Sequence, residues 1–240
     1  MIPNLWLIIP CYNEQDVLGR SMELLSQKLK EMISLQMVSP QSQIVLVDDG
    51  STDQTWEIIR ERCKADSMFR GIKLSRNFGQ RQALLEGMAY ACGKCDCIIS
   101  LDADLQDDIN VLPDFIEKFK QGYHVVYGVR NDRSTDSWLK EHTAMLFYSL
   151  MNRLGTDVVK NHSEYRLLSD KALHALMEYK DSNLFLRYII PRLGFDGAIV
   201  YYARQKREAG KTKYSAWKLV RLAMSAIISS QVHHRRNNRR

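Results

Sequence analysis

The chain has 240 residues, a formal net charge of +6, 45% apolar residues and 26% charged residues. This is the balance of a soluble globular protein long enough to bury a full core. No run approaches the roughly eighteen apolar residues of a bilayer span, and no basic region precedes a long apolar segment at the N-terminus, so neither a spanning helix nor a signal peptide is expected.

In chain order, Leu5 to Ile9 reads as a short apolar strand ended by Pro10. Apolar residues at helical spacing predict a helix over 15–33. Ile44 to Val47 is a buried-type strand, followed by the turn-rich DDGSTD and a helix over 52–63 with Ser51 as its N-cap. Gly71 to Leu74 is a third strand, 80–91 a helix, and Cys97 to Leu101 a fourth strand. A helix over 111–120 and a strand over 124–127 follow. Strand–helix alternation predicts a doubly wound, mostly parallel α/β sheet. In the second half, helices are expected over 138–154, 170–178 and 184–193, with strands over 163–168 and 198–202. Beyond Trp217, apolar residues Val220, Met224, Ile227 and Ile228 recur at helical spacing, with Lys218 and Arg221 between them. One domain (1–214), an amphipathic helix (215–230) and a basic tail (231–240) is the simplest division.

In doubly wound sheets, ligands bind beyond the carboxyl ends of the strands. Three polar clusters fall there. PCYNE follows the first strand, where Tyr12 offers a face for a nucleobase or a core side chain, and Asn13 a helix cap. Asp48 and Asp49 follow the second strand; Gly50, Ser51 and Asp53 are accounted for by a turn and a cap, whereas the carboxylate pair suits a base imino group or ribose hydroxyl. SLDADLQDD follows the fourth strand. Asp102 and Asp104, two residues apart, can face one side and repel each other unless a cation intervenes. With the Gln106 oxygen they suit Mg²⁺ or Mn²⁺, whose shell a diphosphate completes. Asp107 and Asp108 are expected to start the next helix.

Two further features stand outside these clusters. Cys92, Cys95 and Cys97 form C-x-x-C-x-C, but no nearby His or Cys supplies the fourth ligand of a closed zinc site, so reduced thiols are the simpler reading. Positive charge gathers in RQKREAGKTKYSAWKLVR and in QVHHRRNNRR. Such charge suits phosphates of a nucleotide, a nucleic acid or an anionic membrane. Arg204, Arg207, Lys211 and Lys213 flank Gly210 as a phosphate clamp or as a solvated loop.

Taken together, IIPCYNE, VLVDDGSTD, LSRNFGQRQALLEGM, IISLDADLQD, GYHVVYGVR, NHSEYRLLS and REAGKTKYSAWKL resemble the inverting family 2 glycosyltransferases over nearly the whole chain. DADLQD, SEYRLLS and GKTKY point to the polyprenyl-phosphate branch, similar to dolichyl-phosphate mannose synthase. The resemblance implies the nucleotide-sugar-binding GT-A-like fold, a UDP- or GDP-linked donor and a polyprenyl (undecaprenyl or dolichyl) phosphate acceptor. It implies that Pro10, Tyr12, Glu14 and Asp49 surround the nucleoside, and that Asp102 reaches ribose or metal. Asp104 and Gln106 would ligate Mg²⁺ or Mn²⁺, and Arg130, Arg207 and Lys213 would hold phosphates. Glu164 is the nearest match to the family's general base. An ionised lipid phosphate needs little base catalysis, so a positioning role through Arg166 is expected. Members of this branch continue into membrane helices after the segment matching Ile228, where this chain reads QVHHRRNNRR. The 217–228 segment is expected to lie on a membrane surface, at the cytoplasmic face, or to pack on the domain or on a second copy of the chain. A growing glycan or other soluble acceptor is the alternative. Nucleic-acid binding is disfavoured, because the acidic edge repels phosphates when no metal is bound.

Overall fold

A computed structural model of the protein describes residues 2–131, 162–179 and 186–203. Its strands are β1 (Leu5–Cys11), β2 (Gln43–Asp48), β3 (Phe69–Lys73), β4 (Cys97–Ser100), β5 (Val125–Arg130), β6 (His162–Ser169) and β7 (Gly197–Tyr202). Its helices are α1 (Gln15–Ser34), α2 (Thr55–Ala65), α3 (Gln80–Ala91), α4 (Leu112–Lys120) and α5 (Asp170–Met177). Short helical turns occupy Ile109–Val111, Leu186–Ile189 and Ile190–Leu193.

The seven strands form one sheet in the order β3-β2-β1-β4-β6-β5-β7. β1, β2, β3 and β4 are mutually parallel, and β5 is parallel to β7. β6 runs antiparallel to both β4 and β5. The sheet is therefore mostly parallel, as the alternation predicts, with one reversed strand inside it. The chain steps outward from β1 through β2 to β3, then returns to place β4 on the other side of β1. That reversal opens a crevice at the carboxyl ends of β1 and β4.

Every residue of β1 is buried, because helices cover both faces of a parallel sheet. On one face, α1 contributes Leu18, Met22, Leu25, Leu29 and Met32 to a core shared with Phe115 and Ile116 of α4. That spacing is an apolar helical stripe. On the other face, α3 and α5 meet Ile8, Val47 and Ile98. A Cβ on Gly87 would lie 2.5 Å from Ile8 Cγ2 and 2.9 Å from Val47 Cγ2, so its absence lets α3 lie close on β1 and β2. β7, at the sheet edge, alternates exposed and buried residues.

Several boundaries differ from the sequence reading. α2 begins at Thr55, and Ser51 is not its cap; the Ser51 hydroxyl accepts from Asn13 N at 3.0 Å. Asn13 does not cap α1 either, since Glu14 holds that position without a side-chain bond. The expected 184–193 helix is two short turns over Leu186–Leu193, with Pro191 at the start of the second. The expected helices over 138–154 and 215–230, the basic tail, Arg207 and Lys213 lie outside the described residues.

Candidate active site

The loops after β1 and β2 are stitched together. Asn13 adopts φ 51°, which turns its amide toward the second loop. Its Oδ1 accepts from Thr52 N at 2.9 Å, and Asn13 N donates to Ser51 Oγ. Glu14 N donates to Thr55 Oγ1 at 2.8 Å, Gln15 N to Asp53 Oδ2 at 3.3 Å, and Gln54 N to Gln15 Oε1 at 3.1 Å. Pro10 is buried within β1, while Tyr12 and Glu14 are half-buried on this stitched rim.

The second loop grips a third. Asp49 is almost wholly buried, and its carboxylate accepts from Phe78 N at 2.8 Å and Gly79 N at 2.9 Å. Burial raises its pKa, and those two amides pull the other way. Gly50 has φ +65°, and a Cβ there would lie 2.3 Å from the Arg76 carbonyl carbon. Only glycine permits both that angle and that approach. Asp48 is fully buried; Oδ1 accepts from Ser51 N at 3.3 Å, and Oδ2 has no partner among the described residues.

The third loop delivers α3 to the acidic segment. Gln80, its first residue, donates from Nε2 to Asp102 Oδ1 at 2.7 Å. Asp102 keeps some surface exposure, yet desolvation leads in raising its pKa from 3.8 to about 7. Asp107, Asp104 and Glu164 add repulsion, and Arg130 opposes it. Asp104 Oδ1 accepts from Gln106 N at 3.3 Å, and Leu105 between them has φ 46°. Asp102, Asp104 and Gln106 thus sit on one tight turn beyond β4.

Asp108 begins a helical turn as expected, accepting from Asn110 N at 2.9 Å. Asp107 does not share that role. It is 4% exposed, accepts from the Tyr202 hydroxyl at 2.8 Å and lies 3.6 Å from Arg130 Nη2. Arg130 Nε also donates to the Tyr202 hydroxyl at 3.1 Å. A buried carboxylate needs such partners, and they come from β5 and β7, far away in sequence. Tyr165, stacked edge-on with Tyr202, donates its hydroxyl to the Asp108 carbonyl at 3.1 Å.

Because β6 is antiparallel, its amino end lies at the carboxyl end of β4. Ser100 pairs with Arg166, and the Ser100 hydroxyl donates to the Glu164 carbonyl. Glu164 is held between two guanidinium groups: Oε2 accepts from Arg166 Nη2 at 2.6 Å, and Oε1 from Arg187 Nε at 2.9 Å. Arg166 is fully buried, and burial lowers its pKa while Glu164 supports its charge. The expected Glu164–Arg166 link is present. Arg187, Tyr202 and Gln80 carry no local signal in the sequence, because each is defined by a distant partner, and Asp107, expected to start a helix, is instead held by Tyr202 and Arg130.

The donor set of Asp102, Asp104 and Gln106 fits a hard divalent cation. Burial first, and then repulsion from Asp107, Asp104 and Glu164, disfavours the charged Asp102, and a bound cation would offset both.

A doubly wound, mostly parallel sheet with an acidic turn at its switch point is the arrangement of the GT-A glycosyltransferase fold. The family profile for glycosyl transferase family 2 matches residues 6–177, and the chain belongs to that family. It is 42% identical over 230 residues to an uncharacterized glycosyltransferase, YkoT, of Bacillus subtilis, covering 96% of this chain and 68% of that one. It is 36% identical over 224 residues to a prophage bactoprenol glucosyl transferase homolog of Escherichia coli, covering 93% and 71%. The chain thus spans about two thirds of the length of these relatives. Among solved structures, mannosyl-3-phosphoglycerate synthase from Rubrobacter xylanophilus superposes with TM-score 0.64 at 14% identity, over 99% of this chain and 76% of that one. A mannosyltransferase from Pyrobaculum calidifontis, in complex with GDP-Man and Mn²⁺, gives 0.59 at 15% identity, over 92% and 61%. The protein is an enzyme, a glycosyltransferase.

Proposed function

We propose that the protein transfers a hexose from a UDP- or GDP-linked donor to a polyprenyl phosphate, with inversion and with Mg²⁺ or Mn²⁺. The carrying observation is the acidic turn, where Asp102, bonded to Gln80 and close enough to Glu164 to feel its charge, shares one tight turn with Asp104 and Gln106. The acceptor class rests on the SEYRLLS and GKTKY segments and on the likeness to bactoprenol glucosyl transferases.

The nucleoside would lie on the stitched rim, with Tyr12 against the base and Pro10, Glu14 and Asp49 framing it. A bound divalent ion would neutralise the diphosphate as it departs. Asp102, Asp104 and Gln106 would hold that ion. Arg130 would stabilise Asp107 and the donor phosphates together. The acceptor phosphate is already anionic, so it needs positive side chains to approach the donor more than it needs a base. Arg207 and Lys213 would supply that charge. Glu164, bonded to Arg166 and Arg187, would orient cations rather than accept a proton.

The membrane role is part of the same proposal. No helix among the described residues is long and apolar enough to cross a bilayer. The basic, amphipathic 217–228 segment would bring the enzyme to the surface where a polyprenyl phosphate resides.

The test is transfer from a panel of nucleotide sugars to a short polyprenyl phosphate, with Mn²⁺ or Mg²⁺, in wild type and Asp104→Ala. Lipid-linked product from one donor, lost with the variant and with chelator, supports the reading. Transfer only to soluble acceptors, or full activity of Asp104→Ala, overturns it.

A further inference from the structure

The C-x-x-C-x-C stretch lacks neighbouring ligands in sequence, but the fold brings two from α5. Asp170 and His174 are one helical turn apart and so share a face. Cys92 Sγ, an Asp170 carboxylate oxygen and a His174 ring nitrogen lie within 4.8 Å of one another. The frame around them is already braced. Asp170 Oδ1 accepts from Gly93 N at 2.7 Å, and Asp170 N donates to the Asp96 carbonyl at 2.9 Å. Asp170 Oδ2, the other oxygen, lies 3.5 Å from His174 Nε2. Gly93 makes this turn at φ +75°.

The three cysteines separate by position. Cys97 is wholly buried and belongs to the core on the α1 face of the sheet. Cys95 and Cys92 belong to the α3 face, with Cys95 the deeper of the two. Cys95 is close enough to Asp170, Asp96 and Cys92 that, after burial, their charges push its thiol up to about 12.

We propose that Cys92, Asp170 and His174 form a binding site for a borderline-soft divalent cation of the Zn²⁺ class. It is separate from the all-oxygen set at Asp102, Asp104 and Gln106. Sulfur and imidazole favour zinc and its neighbours, whereas Mg²⁺ prefers oxygen. Zinc bonds of about 2.0–2.3 Å place tetrahedral ligand atoms roughly 3.3–3.8 Å apart, so the three atoms must close by about 1 Å. The His174 side chain, 59% exposed, is free to rotate by that amount. Water would complete four-coordination; Cys95 lies outside the group, its thiol turned to the Ala91 carbonyl at 3.6 Å. On binding, the Cys92 thiol releases its proton to solvent and the metal–sulfur bond forms, so affinity falls as pH falls. The site lies at the amino end of β4 and the acidic turn at its carboxyl end. Seven residues from Cys95 to Asp102 at ~3.3 Å each separate them by on the order of 20 Å.

The experiment is Co²⁺ titration of the chelator-stripped full chain in excess Mg²⁺, reading thiolate-to-cobalt absorption, followed by Zn²⁺ competition. Wild type should saturate at one equivalent and yield its Co²⁺ to Zn²⁺. Cys92→Ser should abolish the thiolate band. His174→Ala should weaken Zn²⁺ binding at least about tenfold, the range seen even for changes outside the ligand set. Asp104→Asn should leave both intact, as should the double variant His233→Ala/His234→Ala, which controls for the tail. Thermal melts without metal establish that each variant folds. The proposal is overturned if wild type shows no saturable binding, if the band survives Cys92→Ser, if His174→Ala binds Zn²⁺ as wild type does, or if Asp104→Asn or the tail variant abolishes binding.

Discussion

The Tyr202 hydroxyl donates to the buried Asp107 carboxylate at 2.8 Å, tying edge strand β7 to the acidic turn beyond β4. The same hydroxyl accepts from Arg130 Nε. One oxygen therefore bridges an anion and a cation. Tyr202→Phe removes the bridge and leaves Asp107 short of a donor. The expected cost is about 1–3 kcal/mol of stability, with weaker Mn²⁺ binding at the neighbouring turn. Thermal melts and Mn²⁺ titration check it; a variant equal to wild type in both would show that the bridge is idle.

Asp102 gives a pH dependence of defined sign. Its folded pKa is raised from 3.8 to about 7, first by desolvation and then by Asp107, Asp104 and Glu164. The native state then binds this proton more tightly than the unfolded chain. Metal-free stability from this group is highest below about pH 4, declines as pH rises toward about 7, and levels off above it. Asp102→Asn should therefore gain in melting temperature relative to wild type across that window in chelator, and the gain should shrink when Mn²⁺ is added to wild type. Parallel melting curves from pH 4 to 8 would refute the assignment.

The stitched rim makes a prediction about backbone. Asn13→Gly keeps the φ 51° conformation and loses the bond to Thr52 N, whereas Asn13→Ala loses both. The alanine variant should be the less stable by roughly 1 kcal/mol. Gly50→Ala should be worse than either, since its Cβ meets the 76–77 backbone. The order of the three melting temperatures is the measurement.

Glu164 separates positioning from proton transfer. Glu164→Ala leaves the fully buried Arg166 without its carboxylate, at a cost near the lower end of the ~3–5 kcal/mol typical of broken buried pairs, because Glu164 is itself partly exposed. Glu164→Gln should retain the fold and lower kcat/KM about tenfold without altering the acid limb of the pH profile. Disappearance of that limb would instead identify Glu164 as a base.

Local pattern made the N-terminal half legible. Apolar runs and helical stripes locate β1 to β4 and α1 to α3 within a few residues, because those elements carry their own periodicity. Asp102 and Asp104 stand out in the sequence, since two carboxylates two residues apart demand an explanation. Asp107 looked identical on paper to Asp108, yet one is buried against Tyr202 and the other caps a turn. That difference is set by β7, 95 residues away in sequence. The reversal of β6 was equally hidden, because an apolar strand reads the same in either direction.

That reversal gives β6 the character of a ruler. Glu164 stands near one end, beside the acidic turn, and Asp170 immediately follows the other, seated on Gly93 N. Its pairing with β4 fixes where both carboxylates stand at once. A slip of one residue would turn Glu164 to the opposite face of the sheet and draw Asp170 away from its loop in the same movement. The register of a single eight-residue strand thus sets the alignment of two carboxylates at opposite margins of the enzyme.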